Sequence, residues 1–482
     1  MYKRQVYQRD LAGESPRVQR GGIGVLEPAP APTAGVLAVA NLASLRTDPW
    51  EAAFERIFGG AAPGPNPAPS LPGLAAAGGY APSQIALRVH DLQVGARQFN
   101  RVVAGLSQDE GTWRANVDAE QFNGYVEYRQ GRVAQAPGRI YARLARLSLP
   151  KGDADSVETL LDQQQPASVP ALDIVVDDFE LRGKRLGRVE IEAVNRLQGE
   201  GRDTFREWRL NRFVVTVPEA RLSGSGSWSE VGGTFMTVPG AGSTVRRRAV
   251  MDFKLEVANG GGLLERMGTG KAVKGGKGML SGQVSWLGSP LALDYPTLAG
   301  NVNVAVDAGQ FLKAEPGATR LLSVLSLQSL PRRLALDFRD VFQEGFAFDN
   351  LSGDVKIASG VATSNNLRMR GVQAAVLMEG SADLARETQD LRVIVVPEIN
   401  AGTASLAYAV INPAIGIGTF LAQALLRKPL AQAGTREFHV TGSWADPKVE
   451  RVERKLFDAV PESPEIQPGS PAAATSAPRT GP

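Results

Sequence analysis

Short segments in which apolar and polar residues alternate strictly are the feature that most constrains the fold of this chain. Between residues 171 and 177, Leu172, Ile174 and Val176 share one parity, whereas Asp173 and Asp177 share the other. Successive side chains of a β-strand point to opposite faces, so this pattern predicts strands with one apolar and one polar face. Further clear examples are residues 188–193, 251–257, 301–307 and 334–339. Roughly twenty segments follow the pattern, and the sequence therefore predicts a mainly all-β chain.

A short motif recurs along the chain and places tryptophan at the end of a predicted strand. Leu222–Trp228 (LSGSGSW) is repeated as Leu280–Trp286 (LSGQVSW), and a reduced form stands at Val440–Trp444 (VTGSW). Chance recurrence of a common strand-ending sequence is one explanation. A true repeat is typical of architectures in which each unit contacts only its neighbours. On that interpretation the chain forms an elongated, twisted antiparallel β-sheet.

Departures from the strand pattern are few. The apolar parity of residues 139–149 switches near Ala145, which predicts a β-bulge because a bulge inserts one extra residue into a strand. Short helices are predicted at residues 49–58 and 316–327, where apolar residues recur at helical spacing. A mobile loop is predicted at residues 61–79, which are rich in Ala, Gly and Pro.

The amino-terminal residues carry no apolar run of the length found in a secretory signal. We therefore predict a non-native or disordered leader there, and a disordered tail where the chain ends in Pro, Ala and Ser. The predicted organisation is a leader at 1–20, β segments at 21–150 and 151–310, a C-terminal β region at 311–460, and a tail at 461–482.

Reactive side chains are scarce, which argues against catalysis. The 482-residue chain contains no cysteine and two histidines, His90 and His439, and both histidines stand on the polar parity of predicted strands. We interpret both as solvated strand residues, because a general base needs a partner group within hydrogen-bond reach. Without cysteine or a dense group of His, Asp and Glu, no metal site and no cofactor are predicted. The chain is therefore predicted not to be an enzyme.

Charge is evenly distributed along the sequence. The 53 basic and 50 acidic residues are thoroughly mixed. A nucleic-acid interface requires basic residues concentrated on one face, with aromatic residues among them for single strands. Only 6% of the residues are aromatic, and most have apolar parity. We therefore predict no nucleic-acid partner.

One long uncharged segment lies near the carboxyl terminus. No charged residue occurs from Ile399 to Leu426, and Arg427 follows immediately. The segment exceeds the roughly 20 residues that span a bilayer, but polar residues dilute it and Pro413 interrupts it. We predict an apolar helical hairpin at 402–427 that contacts a membrane or a partner, with packing on the β body or a true span as alternatives. The predicted contact residues are Leu406, Val410, Ile411, Ile415, Phe420, Leu421 and Leu425.

Four stretches of the sequence resemble a known family. They are Leu321–Leu334, Gly345–Asp349, Thr441–Pro447, and Gly278–Phe311 with its core SPLALDYP. These stretches are similar to the carboxy-terminal region of the YhdP family of AsmA-like envelope proteins, which occur in bacteria with two membranes. The resemblance covers most of residues 171–452 and is looser from 23 to 150.

The resemblance implies that the chain is the carboxy-terminal portion of a longer protein. Members of the family begin with an inner-membrane helix, which this sequence lacks, and cross the periplasm as a groove of β-strands. The family is implicated in moving phospholipids toward the outer membrane. The resemblance therefore implies a periplasmic location in the cell envelope. The implied partners are phospholipid acyl chains, a membrane at the C-terminal helical end, and envelope proteins.

Alternation alone is equally compatible with an open groove and with a closed sandwich core, and the resemblance favours the groove. A non-catalytic periplasmic scaffold is the alternative function. A third hypothesis, an envelope hydrolase, requires two carboxylates to converge in a cleft. The residues predicted to line the groove are Leu172, Ile174, Val176, Val189, Ile191, Phe253, Leu255, Val302, Val304, Leu336 and Phe338.

Overall fold

The fold is known from a computed structural model, in which β-strands dominate. The structure describes residues 3–11, 17–48, 80–95, 97–131, 137–152, 155, 161, 165–166, 168–198, 205–231, 247–268, 273–312, 346–371, 374–397 and 436–452. These residues form a 21-stranded sheet. The prediction of a mainly β chain is confirmed.

The strands are labelled in chain order. Strands β1 to β11 are Lys3–Asp10, Arg17–Val25, Gly35–Arg46, Gln84–Val94, Arg97–Asp109, Thr112–Asp118, Phe122–Arg129, Arg139–Leu149, Ala171–Leu181, Lys184–Gln198 and Phe205–Val217. Strands β12 to β21 are Ala220–Glu230, Arg247–Val257, Val273–Leu287, Ala299–Phe311, Phe346–Ala358, Val361–Gly371, Ala374–Asp383, Thr388–Pro397, Arg436–Ser443 and Pro447–Arg451.

Each strand pairs with the strands that precede and follow it in the sequence, so chain order is also sheet order. Neighbouring strands lie about 4.8 Å apart, so a ladder of this size extends for about 95 Å along its stacking direction. Within the described residues, β1 and β21 are the two edges. The sheet is therefore elongated and open, as predicted.

Strand direction differs from the prediction at three places. Pairs β2–β3, β3–β4 and β8–β9 are parallel, and the other neighbouring pairs are antiparallel. A parallel pair requires the chain to return to the same end of the sheet before the next strand. The connections at 26–34, 47–83 and 150–170 are long enough to do so. Alternation encodes which face a side chain occupies but not strand direction, so the sequence could not distinguish the two arrangements.

The predicted leader at 1–20 is also corrected. Strand β1 occupies part of it and pairs with β2 in antiparallel register from Lys3 opposite Val25 to Asp10 opposite Arg17. The guanidinium of Arg20 donates to Gln8 Oε1 at 2.6 Å across this pair. Residues of the supposed leader are therefore part of the sheet. The predicted helices at 49–58, 316–327 and 402–427, the loop at 61–79 and the tail at 461–482 lie outside the described residues.

The predicted bulge in β8 is confirmed. In the β7–β8 pair, Asn123 lies opposite Arg146 and Gly124 lies opposite Leu144, so that Ala145 has no partner. An extra residue of this kind reverses the facing of the side chains that follow it. The switch of parity in the sequence therefore keeps apolar residues on the same face along the whole strand.

One row of residues follows the ladder across fifteen strands and is entirely apolar or glycine. We call the face that bears it the apolar face, and the opposite side of the sheet the polar face. From β2 to β16 the row is Ile23, Ala38, Ile85, Leu106, Ala115, Val126, Ala142, Ile174, Ile191, Phe213, Gly224, Phe253, Gly282, Val302 and Val355.

Several glycines on the apolar face lie very close to the backbone of a neighbouring strand. A Cβ added at Gly226 or Gly282 would lie under 3.0 Å from the backbone of the next strand. The same holds for Gly124, Gly278, Gly353 and Gly380, and at Gly300 the close backbone is that of the preceding strand; all five are also on this face. Glycine within a strand allows such a close approach because it has no side chain. We therefore infer that the sheet curls toward the apolar face at these positions.

Helix α1 (Gly260–Met267) follows β13 and was not predicted from the sequence. Its three initial glycines disfavour a helix, but Asn259 caps it by accepting a hydrogen bond from the Gly262 N–H at 3.1 Å. Gly268 ends the helix with a φ of 86°, which suits glycine. Arg266 binds both carboxylate oxygens of Glu219 at 2.8 Å, and this fixes α1 to the start of β12.

Candidate functional site

Nine of the eleven residues predicted to line a groove share the apolar face. Ile174 lies opposite Ile191, and Val176 lies opposite Val189. In the later strands, Gly282 lies between Phe253 and Val302 in the ladder, and Leu280 lies in the same way between Leu255 and Val304. Leu172 belongs to the same face through its partner Ala193. Leu336 and Phe338 lie outside the described residues.

The apolar face is only partly covered along the centre of its strands. Phe253 and Leu255 are half-buried, and their neighbours Asp252, Lys254 and Glu256 on the polar face are exposed. Ile174, Ile191, Val302 and Val304 are also half-buried. Val176 and Val189 are exceptions, with 2% and 3% exposure, and Val176 packs with Ala142 and Leu144. The strand centres therefore present an apolar surface that the described chain does not fill.

Tryptophans close one end of this surface. Trp208 lies opposite Trp228, and Ala249 separates Trp228 from Trp286 in the ladder. All three indoles are buried in one cluster with Leu298. Their N–H groups donate to the carbonyls of Pro170, Gly288 and Ser289 at 3.1, 2.7 and 2.9 Å, respectively. The tryptophans of the two full motif copies therefore form, together with Trp208, a buried apolar cluster at one end of the strands, with their indole N–H groups satisfied.

Ion pairs between adjacent strands occupy the polar face. Arg143 binds Asp173 at 2.7 Å, and Arg212 binds Glu190 at 2.6 Å. The pKa of Glu190 lies below its usual value chiefly because Arg188 donates a hydrogen bond to it. Arg188 also contacts Asp177. The two sides of the sheet thus have opposite chemistry, one suited to water and the other to hydrocarbon.

A comparison with known protein families identifies the family to which this sheet belongs. The family model described as YhdP protein matches residues 4–449, which is most of the chain. The chain belongs to the YhdP family. The resemblance found in the sequence is thereby confirmed.

One curated relative in the YhdP family is the Intermembrane phospholipid transporter YhdP of Escherichia coli strain K12. It is 26% identical to this chain over 274 residues, which are 57% of this chain and 20% of that protein. The match thus spans about a fifth of the length of that relative. No solved structure matches the chain significantly.

The two histidines lie where the sequence predicts them in this YhdP-family sheet. His90 is exposed, and its Nδ1 lies 3.1 Å from a carboxylate oxygen of Asp91. His439 is exposed too, and its Nε2 lies 2.6 Å from Asp390. Within the described residues, no group of three or more His, Asp or Glu side chains is placed to hold a metal ion.

Sequence reasoning missed the residues of this family's sheet that shape the apolar face. The sequence pattern identifies these glycines only within the tryptophan motif, and it does not identify Trp208. The sequence does contain a signal for such glycines: Gly224, Gly226 and Gly282 stand at positions where the alternation would place an apolar side chain. Glycine at such a position indicates a bend or close backbone contact.

The predicted membrane-contact residues lie outside the described part of this YhdP-family chain. They are Leu406, Val410, Ile411, Ile415, Phe420, Leu421 and Leu425. Among the residues that the structure does describe, none belongs to a helix long and apolar enough to cross a bilayer. Contact of the 402–427 segment with a membrane or a partner stays a prediction.

Proposed function

We propose that the apolar face binds the acyl chains of phospholipids and that the chain is one section of a lipid conduit. The conduit would run through the periplasm between the inner and outer membranes, along the stacking direction of the strands. The observation that carries this proposal is the unbroken row of apolar residues and glycines from Ile23 to Val355, with half-buried side chains along the strand centres.

The free-energy barrier that such a surface would lower is large. A diacyl phospholipid that crosses water exposes about 30 methylene groups, each costing ~0.8 kcal/mol, which gives a barrier of roughly 24 kcal/mol. A barrier of that height permits an event on the order of once a day. A continuous apolar surface removes most of this cost without chemistry, so the proposed role is non-catalytic.

The named activity of the Escherichia coli relative, intermembrane phospholipid transport, supports the same assignment. Because the match spans about a fifth of that relative, we propose that the whole protein is anchored in the inner membrane and that this chain forms one section of it. The segment at 402–427 would contact a membrane or an envelope protein at the end of the conduit.

A non-catalytic periplasmic scaffold is the second candidate function. One observation favours it: Ala374 to Met378 of β18 are buried on both faces of the sheet, which leaves no room there for a lipid. A scaffold would bind protein partners and carry no phospholipid.

Photo-crosslinking from the two faces of β13 separates these functions. A photoreactive phenylalanine analogue at Phe253 should form adducts with co-purified phospholipid, because this side chain lies on the apolar face. The same analogue at Lys254, the next residue on the polar face, is the matched control and should form far fewer. Mass spectrometry detects the adducts. Lipid-free protein with no adduct at residue 253 would favour the scaffold, and equal labelling at both positions would contradict a specific apolar surface.

A further inference from the structure

A depression on the polar face carries chemistry that lipid binding does not use. It has a volume of about 610 Å³ and lies over the centres of β14, β15, β16 and β17. Its lining includes Ser281, Asn301, Asn303, Asp354 and Lys356. Ligand pockets commonly have volumes of about 300–1,000 Å³, so the depression is large enough for a small molecule.

An interruption of the ladder between β16 and β17 lies within this depression. Ser352 pairs with Arg368 and Lys356 pairs with Thr363, so residues 353–355 face the longer stretch 364–367. Such a bulge leaves backbone groups without ladder partners and changes the direction of nearby side chains. The Asp354 N–H donates to the side-chain oxygen of Asn366 at 2.9 Å instead of to a strand carbonyl. The depression is thus built into the ladder.

Two amides hold the carboxylate of Asp354 in place. Asn303 donates to one of its oxygens and Asn366 to the other, both at 2.8 Å. These two hydrogen bonds lower the pKa of Asp354 below its ordinary value. The depression therefore contains a fixed, ionised acceptor at neutral pH.

Other polar groups around this carboxylate are available to a ligand. In the part of the chain that the structure describes, the side chains of Ser281, Asn301 and Lys356 make no hydrogen bond to the protein. An amide offers two donors and an acceptor, an ammonium offers donors, and a carboxylate accepts. The hydroxyl groups of a sugar both donate and accept, so they can satisfy all of these groups together. An ion would be repelled by either Asp354 or Lys356.

We propose that this depression binds a neutral, polyhydroxylated ligand of the carbohydrate class. The site would hold a glycan against the outside of the sheet, while the opposite face is free for lipid. This assignment rests on the depression and its polar lining and not on the proposed lipid function, so either can fail without the other.

Saturation-transfer difference NMR tests the proposal with chitotriose and maltotriose as probes. Signals are expected for at least one glycan, with weak affinity as befits an exposed site. The double variant Asn301→Ala/Asn303→Ala should lower the affinity about tenfold, because it removes one amide that is available to the ligand and one that holds the Asp354 carboxylate in place. Asn116→Ala, at an exposed position on the polar face of β6, is the matched control and should bind as the unchanged chain does.

Three outcomes would overturn the proposal. They are the absence of signal from either glycan at millimolar concentration, signals that the double variant leaves unchanged, and binding of glycerol 3-phosphate alone that Lys356→Gln abolishes. The last result would assign the depression to an anionic group. Thermal unfolding verifies that the double variant is folded, and crosslinking from residue 253 reports separately on the lipid function.

Discussion

Parts of β18 and β19 differ from β13 in that neither of their faces is open to water. In β18 the five consecutive residues Ala374–Met378 are buried, and in β19 the four residues Val393–Val396 are buried. In β13, by contrast, half-buried and exposed residues alternate from Met251 to Val257. One sheet thus contains a section with a partly uncovered apolar face and a section covered on both sides.

The difference follows from the amino-acid pattern of each section. Alternation, as in MDFKLEV of β13, is typical of a strand with one wet face, whereas runs such as AAVLM and VIVV are typical of strands covered on both faces. Burial on both faces gives a rigid body but no surface for a guest molecule. The proposed lipid binding therefore suits the alternating strands, whereas the buried parts of β18 and β19 suit a role in stability.

The comparison is tested most strongly by equivalent truncations in the two sections. Ile394→Ala, at a side chain with 0% exposure, should lower the free energy of unfolding by about 3–4 kcal/mol, because it leaves a cavity in a closely packed core. Leu255→Ala, at a half-buried side chain on the apolar face, should cost about 1 kcal/mol. Denaturant unfolding followed by circular dichroism measures both. Equal losses would mean that the apolar face of β13 is also packed as a core, and the proposed lipid-binding surface would then be filled by the protein itself.

Much of this contrast could be predicted from the sequence, and the reasons are local. The alternation around Ile174 and Phe253 predicts which face of the sheet they occupy, and the parity switch at Ala145 predicts the position of the bulge. Both predictions depend only on the two-residue period of a strand. Strand direction at β2–β3 and β8–β9 could not be predicted, since it depends on where the long connections cross. Whether the apolar face of an alternating strand is open or covered could not be predicted either, because it depends on neighbours that are distant in the sequence.

Substitution of glycines on the two faces should change the free energy of unfolding by a smaller amount. At Gly282 on the apolar face, a Cβ would lie 2.9 Å from Val302 Cα and also too close to the Asn301 carbonyl. Gly282→Ala should therefore destabilise the sheet by about 2 kcal/mol through backbone displacement. It should also reduce the amount of co-purified phospholipid, because the curl toward the apolar face is weakened.

Gly105 in β5 is the matched control on the polar face, where a Cβ would meet nothing within 4 Å. Gly105→Ala should leave stability unchanged or raise it by about 0.5 kcal/mol, since alanine lowers the entropy of the unfolded chain. Thermal unfolding of both variants, with lipid quantified by mass spectrometry, provides the measurement. If the two substitutions had the same effect, the glycines of the apolar face would have no special part in curvature.

The smallest change in the free energy of unfolding is expected when the ion pair that attaches α1 to the alternating strands is removed. The pKa of Glu219 is lowered from its ordinary value of 4.5, chiefly by the hydrogen bond from Arg266. A lowered pKa in the folded state means that the pair contributes its full stability above about pH 4.5 and loses it as the pH falls through the folded-state pKa. Because both side chains are partly exposed, Glu219→Gln should cost about 0.5–1 kcal/mol at pH 7.

The same substitution should make stability less dependent on pH below 4.5, because the amide that replaces the carboxylate does not take up a proton there. Unfolding measured from pH 7 down to pH 3 for the unchanged chain and for Glu219→Gln gives the two curves, which should converge at the acid end. Glu256→Gln on the exposed part of β13 is the control and should shift stability less at pH 7, since the ion pair of Glu256 with Lys254 is more exposed. Curves that stayed parallel down to pH 3 would show that the Arg266 contact does not stabilise the charged form of Glu219. In that case contacts other than the charge of Glu219 would hold α1 at this end of the strands, such as the hydrogen bond from Arg266 to the Arg185 carbonyl.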